Sequence, residues 1–205
     1  MDINIVFRII YLLLWFLFLV SRIIPSRGLP SLDQSRSEKR GKIREEGWSM
    51  LFTLIMSWYG NIIVAILYIL NPPWMLWSYI YLPLELRFLG VISGVILVPY
   101  TYWVGRTLAQ NYSYTVEIQE GQNLITTGPY KRIRHPIYAS AIFFLAALVV
   151  ISDNWLFLVV LVLIIPGLYI RMKKEELVMM KTFGESYLVY MKQTGRIFPK
   201  IRQDR

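Results

Sequence analysis

The segment 128–138 combines basic residues, tyrosines and prolines with the single histidine, and it could bind an anion. Its Gly-Pro pair predicts a turn, and Pro136 is well suited to the first turn of a helix, where its missing N–H does no harm. Arg134 and His135 would then flank a helix N-terminus, whose free N–H groups and dipole attract a group such as a ligand carboxylate. Tyr130 and Tyr138 add stacking faces and hydroxyls. The alternative is an ordinary membrane span that is flanked by basic residues and interfacial tyrosines, because such a span would have a similar sequence.

A second group of residues supplies carboxylates, whose negative charge is opposite to that of Arg134. Arg171 and Glu175 are four residues apart and share one helical face, and Glu176 follows directly. An ordinary surface pair at a helix end is the simpler interpretation. If this group lies beside Arg134 and His135, however, the two together suit a zwitterionic ligand that carries a further positive charge.

A third group lies near the C-terminus. Phe183-Gly184 is followed by Tyr187 and Tyr190, and then by residues 195–199 with the sequence Gly-Arg-Ile-Phe-Pro. The segment is typical of an amphipathic helix that lies on a membrane. The alternative is a lid over a bound ligand.

The elements that must position these groups are strongly apolar. The chain is 56% hydrophobic with mean hydropathy +0.46, and its apolar residues come in long blocks. Helices satisfy their backbone hydrogen bonds internally, so such blocks can span a bilayer. We predict an all-α integral membrane protein of about five transmembrane helices, with apolar stretches at residues 3–24, 48–70, 86–104, 137–151 and 155–170.

The last two predicted spans form a tight helical hairpin. Only Ser152, Asp153 and Asn154 separate them, and Asp153 or Asn154 is suited to cap the second helix. Each apolar stretch covers only about 22–24 Å, so both helices should extend into the polar residues where His135 and Arg171 meet. Residues 1–104 would hold three spans and a basic loop at 21–46. Residues 105–205 would hold the loop, the hairpin 137–170 and the tail.

Charge predicts the orientation and excludes several functions. Lysine and arginine outnumber acidic residues by 22 to 13, and the basic loops alternate with neutral ones. This pattern favours an outside N-terminus, with the C-terminus and the polar groups in the cytoplasm, over nucleic-acid binding. The absence of cysteine excludes disulfides and thiolate chemistry, and a single histidine excludes a multi-histidine metal site.

The three groups, in this order, resemble the isoprenylcysteine carboxyl methyltransferase and phospholipid methyltransferase superfamily over about residues 105–200. The similar pieces are the stretch 124–130, the run Arg-His-Pro-Ile-Tyr at 134–138, the acidic pair, and Phe183-Gly184 through Tyr187, Tyr190 and Pro199. Those families are membrane-embedded and use S-adenosylmethionine. The resemblance therefore implies this methyl donor, the product S-adenosylhomocysteine and no metal.

The resemblance also implies roles for individual residues. Arg134, Arg171 and Glu175 would be catalytic, and Tyr187 and Tyr190 would form a substrate contact or lid. The donor pocket would be made by Gln122, Leu124, Tyr130, His135, Pro136, Tyr138, Glu175 and Glu176. Gln122 departs from the family, which usually has histidine there, but glutamine can still hydrogen-bond an adenine edge.

The acceptor is expected to be a lipophilic or lipidated molecule in the bilayer. The two arginines and the match of the tail favour carboxyl O-methylation of an isoprenylcysteine-like substrate. Phospholipid N-methylation is the alternative, in which His135, Glu175 or Glu176 would accept a proton. Two further alternatives are an NADPH-dependent enzyme similar to sterol reductases, which share a similar Arg-His-Pro ending, and a membrane protein without enzymatic activity.

Overall fold

The computed structural model describes residues 2–26, 59–108 and 124–200. Within these ranges all regular elements are helices: α1 (Ile3–Ile23), α2 (Asn61–Leu70), α3 (Leu84–Leu108), α4 (Pro136–Ser152), α5 (Trp155–Phe183) and α6 (Glu185–Gln193). Short 3₁₀ helices cover Ile24–Ser26, Pro73–Ser78 and Gly128–Lys131. The predicted all-helical class is therefore confirmed for the described residues.

Three of the described helices, α1, α3 and α5, are long and apolar enough to cross a membrane. Helices α2 and α4 are apolar but shorter, with 10 and 17 residues. Part of the second predicted span, residues 48–58, lies outside the described residues, as does most of the basic loop 21–46. The membrane character is confirmed, whereas the count of five spans and the orientation of the termini stay predictions.

The turn between α4 and α5 is built as its sequence predicts. Asp153 ends α4 with a φ of 55°, and its N–H donates to the Val149 carbonyl. The Asn154 side chain accepts a hydrogen bond from the Leu156 N–H, so Asn154 is the residue that caps α5. The hairpin is thereby fixed at its closed end.

The two helices of the hairpin differ in length at the other end. Helix α5 has 29 residues and extends about 43 Å, through Arg171 and Glu175. Helix α4 covers only about 25 Å because it begins at Pro136, and the non-helical backbone at His135, with φ −121° and ψ 59°, does not continue the helix. The expected extension into polar residues is confirmed for α5 and wrong for α4. The first turn of α4 consequently faces the later turns of α5.

Aromatic residues of α1 and a close contact of α3 hold α4 in place. Phe18 stacks on Phe144 of α4 with ring centroids 3.9 Å apart. At Gly90 of α3, an added Cβ would lie 3.1 Å from the Ala147 carbonyl oxygen, so the two backbones approach closely only because this residue has no side chain. Rigid packing of this kind positions the N-terminus of α4.

Candidate active site

The loop before α4 pairs with the C-terminal tail. The Arg134 N–H donates to the Gly195 carbonyl at 2.9 Å, and the His135 N–H donates to the Arg196 carbonyl at 3.0 Å. In return the Gly195 N–H donates to the Arg132 carbonyl at 3.1 Å. The tail is thus joined to the loop by a short parallel pairing of backbones.

The Glu176 carboxylate lies at the centre of a buried ion cluster. Its side chain is only 4% exposed. The Arg134 Nε donates to Oε1 at 2.9 Å, and Arg196 donates to both oxygens, with an Nε–Oε1 distance of 3.1 Å. A buried carboxylate needs such compensation, and here it comes from the loop and from the tail. The expectation that Arg134 and Glu176 meet is confirmed.

Arg134 also holds the end of α6. Its Nη1 donates to the Met191 carbonyl at 3.2 Å and to the Thr194 carbonyl. Carbonyls in the last turn of a helix lack intrahelical partners, so a guanidinium group that binds them caps the helix. Through Glu176 and these carbonyls, one arginine connects the loop, α5 and α6.

Glu175 gathers a second, more accessible set of partners. Its Oε1 accepts hydrogen bonds from the Tyr138 hydroxyl and from the Arg171 Nε, the latter at 3.1 Å. Its Oε2 lies 3.5 Å from the His135 Nδ1. The Glu175 side chain is 22% exposed, compared with 4% for Glu176. Of the two carboxylates, Glu175 is the one that a ligand can reach.

His135 lies between the two carboxylates. Its Nε2 is 3.4 Å from the Glu176 Oε1, but the two atoms are not aligned as a hydrogen bond, and the buried Nε2 has no hydrogen-bond partner among the described residues. Burial disfavours the protonated ring, but the two adjacent carboxylates favour it more strongly, so the pKa of His135 is raised above its ordinary value.

The raised pKa of His135 predicts a pH-dependent stability. The protonated ring stabilises the folded state fully below its ordinary pKa of 6.5, and this contribution is lost as the pH rises through the higher pKa of the folded protein. Over a pH range that begins at about 6 and extends upwards, the melting temperature of the protein in detergent should therefore fall more steeply than that of His135→Gln. Parallel melting curves for the two proteins across this range would contradict the assignment.

The two tail tyrosines are buried against the loop. Tyr187 and Tyr190 are 3% and 7% exposed, and the Tyr190 hydroxyl donates to the Tyr130 carbonyl at 2.7 Å. Burial raises the pKa of Tyr190 to about 12, partly opposed by Arg134, so its hydroxyl stays a donor at neutral pH. These contacts dock α6 on the loop. The role of both tyrosines as a lid or substrate contact stays a prediction.

The other predicted pocket residues lie along the same loop. Gly128 has a φ of 57°, a left-handed value that favours glycine, and it begins the 3₁₀ turn that contains the buried Tyr130. Pro136 is buried as the first residue of α4, and Leu124 is half-buried where the described segment begins. Gln122 lies outside the described residues. The assignment of these residues to a pocket for S-adenosylmethionine stays a prediction.

Neither Arg196 nor Thr194 could be assigned a role from the sequence. Arg196 makes the paired contact with Glu176, and the carbonyl of Thr194 accepts from Arg134. The only available signal was the position of Arg196 after a glycine in the third group, because a lone basic residue in a tail is usually solvated. Both residues belong to the cluster in the folded protein.

This part of the chain matches a known protein family. Residues 88–181 match the isoprenylcysteine carboxyl methyltransferase family. The match includes the loop, α4 and the acidic pair, and it ends before α6 and Arg196. No curated protein sequence matches the chain significantly. The resemblance inferred from the sequence is thus confirmed.

Proposed function

Because residues 88–181 match the isoprenylcysteine carboxyl methyltransferase family, we propose that this chain transfers a methyl group from S-adenosylmethionine to the carboxylate of an isoprenylcysteine-like acceptor. The family itself implies a membrane methyltransferase. The observation that carries the finer proposal is the cluster in which Arg134, Arg171, His135 and both glutamates meet at the N-terminus of α4.

The chemistry of the cluster fits the proposed donor. S-adenosylmethionine carries an ammonium group, a carboxylate and a sulfonium whose methyl group can pass to a nucleophile by in-line displacement. Glu175 offers a partly exposed carboxylate to a cationic group, and the buried His135 Nε2, which lies 3.4 Å from Glu176 without an aligned hydrogen bond, offers a second polar atom. Unsatisfied buried polar atoms are uncommon and often mark ligand sites.

The different contacts of Arg134 and Arg171 support a different proposed role for each. Arg134 already donates to Glu176 and to two carbonyls of α6, so we assign it the task of holding the site together. Arg171 is 17% exposed and contacts the more accessible Glu175, so we assign it to the acceptor. Its guanidinium can orient a carboxylate by paired hydrogen bonds. A carboxylate acceptor is already ionised at neutral pH, and no general base is then required.

The position of the cluster suits an acceptor that stays in the bilayer. The loop lies directly before the start of α4 and the acidic pair lies beyond the apolar part of α5, a position that we assign to the interface between lipid and water. A lipophilic acceptor can approach from the lipid side while a soluble donor enters from the aqueous side. By the distribution of basic loops, we place this end in the cytoplasm.

Donor identity is tested by calorimetric titration of the detergent-solubilised protein. We expect S-adenosylhomocysteine to bind and NADPH not to bind. The reverse result would assign the chain to chemistry similar to that of the sterol reductases. Binding of neither compound by a folded sample would remove the proposed donor.

Acceptor identity is tested with a labelled methyl donor and two acceptors in the same lipid mixture. We expect label in a prenylcysteine analogue, and none in the analogue's methyl ester, because the ester has no carboxylate to accept it. Strong methylation of phosphatidylethanolamine without labelling of the prenylcysteine analogue would replace carboxyl O-methylation with phospholipid N-methylation.

A further inference from the structure

At the other end of the helical bundle, the Arg87 guanidinium points into the protein. The residue is 5% exposed. Its Nε donates to the Ile151 carbonyl at 3.2 Å and its Nη1 donates to the Asn4 Oδ1 at 2.9 Å, while its Cζ lies 3.8 Å from the centre of the Phe7 ring. Its Nη2 is buried without a hydrogen-bond partner among the described residues.

A second arginine and two buried tyrosines lie beside it. Arg8 donates through Nη2 to the Tyr79 hydroxyl at 3.3 Å, and its Cζ is 5.7 Å from the centre of the Tyr68 ring. Tyr11 and Tyr68 are 0% and 1% exposed, with ring centroids 5.4 Å apart. The Arg8 Nε and both tyrosine hydroxyls are buried without hydrogen-bond partners in the described part of the chain.

Arg87 is buried and Arg8 is half-buried, and neither has the carboxylate partner that a buried cation needs among the described residues. Within residues 2–26, 59–108 and 124–200, neither Arg8 nor Arg87 forms an ion pair. An aromatic ring can stabilise the face of a guanidinium, but it does not bind the N–H groups at the edge. Four buried polar groups in the described part of the chain therefore have no hydrogen-bond partner of good geometry: the Arg8 Nε, the Arg87 Nη2 and the hydroxyls of Tyr11 and Tyr68, of which Tyr68 lies beside Arg87. Cationic side chains in membrane helices commonly mark functional sites.

The position of these residues along the helical bundle indicates which kind of ligand could bind them. Arg87 binds the carbonyl of Ile151, one residue before the end of α4, so about 25 Å of helix separates it from His135. Trp74 and Trp77 are exposed at this end, and Trp77 packs against Trp155 after the hairpin turn. Exposed tryptophans gather at the level of lipid headgroups. The four residues thus lie towards the end of the helical bundle opposite the candidate active site, the end at which the exposed tryptophans indicate lipid headgroups.

We propose that Arg8, Arg87, Tyr11 and Tyr68 bind the phosphate group of an anion, either a phospholipid headgroup or free phosphate. We call these four residues the distal anion site. A phosphate offers more acceptor oxygens than a carboxylate and matches a set of several donors that carry positive charge. A phospholipid bound here is far from the proposed S-adenosylmethionine pocket and is not the methyl acceptor. This inference therefore does not depend on the proposed reaction.

Native mass spectrometry of the full chain in uncharged detergent tests the site. Phosphatidylglycerol should stay bound, while a diacylglycerol with the same acyl chains and no phosphate should be lost. A Tyr11→Phe/Tyr68→Phe double variant keeps the ring volumes and removes only the hydroxyls. Its affinity should fall about tenfold or more, as expected for lost hydrogen bonds to a charged group. The phosphatidylglycerol affinity of Arg87→Gln should fall by at least the same factor.

Controls separate the possible outcomes. Tyr81→Phe changes an exposed tyrosine at the same end and should bind phosphatidylglycerol like the unmodified protein. If inorganic phosphate alone raises the melting temperature, and the double variant loses this effect, free phosphate is the ligand. Equal retention of diacylglycerol, unchanged binding in the double variant, or no binding of either phosphate source would overturn the proposal. S-adenosylhomocysteine affinity should be unchanged in the double variant, whichever reaction the chain performs.

Discussion

Replacing Glu175 with glutamine is expected to weaken S-adenosylhomocysteine binding by about 100-fold while the protein stays folded. Glutamine keeps the shape of the side chain and one oxygen for the Tyr138 hydroxyl or the Arg171 Nε. It removes the negative charge from the more exposed of the two carboxylates. Losing a hydrogen bond between charged groups costs up to about 3 kcal/mol, which corresponds to the expected change in affinity. Calorimetric titration and a melting curve on one preparation measure both quantities.

The matched control for this variant is Glu185→Gln. Glu185 is an exposed residue in the first turn of α6, so its substitution changes the net charge by the same amount without entering the cluster. It should bind the ligand normally. His135→Ala should also lose binding, because it removes the buried ring between the carboxylates. Normal affinity in folded Glu175→Gln and His135→Ala would refute the assigned pocket.

Replacing Glu176 with glutamine is expected to damage the fold rather than one contact. The carboxylate is nearly inaccessible and compensates both Arg134 and Arg196. An amide has one acceptor oxygen, and its NH₂ group would face one of the guanidinium groups. Breaking a buried ion pair costs about 3 kcal/mol or more, which lowers the melting temperature of a chain of this size by roughly 6–12 °C.

Hydrogen exchange locates the damage from Glu176→Gln. Backbone amides of α6 and of residues 194–196 should exchange faster, because Arg134 and Arg196 hold these segments against α5 through Glu176. Amides in the middle of α1 should be unaffected. Uniformly unchanged exchange, together with a normal melting temperature, would show that the cluster does not fasten the tail.

Local features of the site could be predicted from the sequence because each rests on neighbouring residues. Gly128-Pro129 predicts a turn, Pro136 predicts a helix start, and the polar turn after α4 predicts a cap at Asp153 or Asn154; the structure has the turn and the helix start, and the cap is Asn154. A hairpin closed at Asn154 also returns α5 towards the start of α4. The meeting of Arg134 with Glu176 follows from that geometry.

Long-range features could not be predicted in this way. The pairing of Arg134 and His135 with Gly195 and Arg196 joins segments about sixty residues apart, and no periodicity indicates it. The inward orientation of Arg87 could not be predicted either, because a basic residue at the start of a span is usually assumed to face the aqueous interface. Both features depend on which helices lie beside each other in space.

The parallel pairing of loop and tail has a consequence for biosynthesis. The backbone around His135 is completed by Gly195 and Arg196, so a nascent chain that already contains every residue of the family match still lacks part of its candidate active site. Gly195 and Arg196 must therefore be synthesised before the site can close. Insertion into the membrane and maturation of the site are therefore separate events in time, and a chain that stalls late in synthesis would be anchored but incomplete.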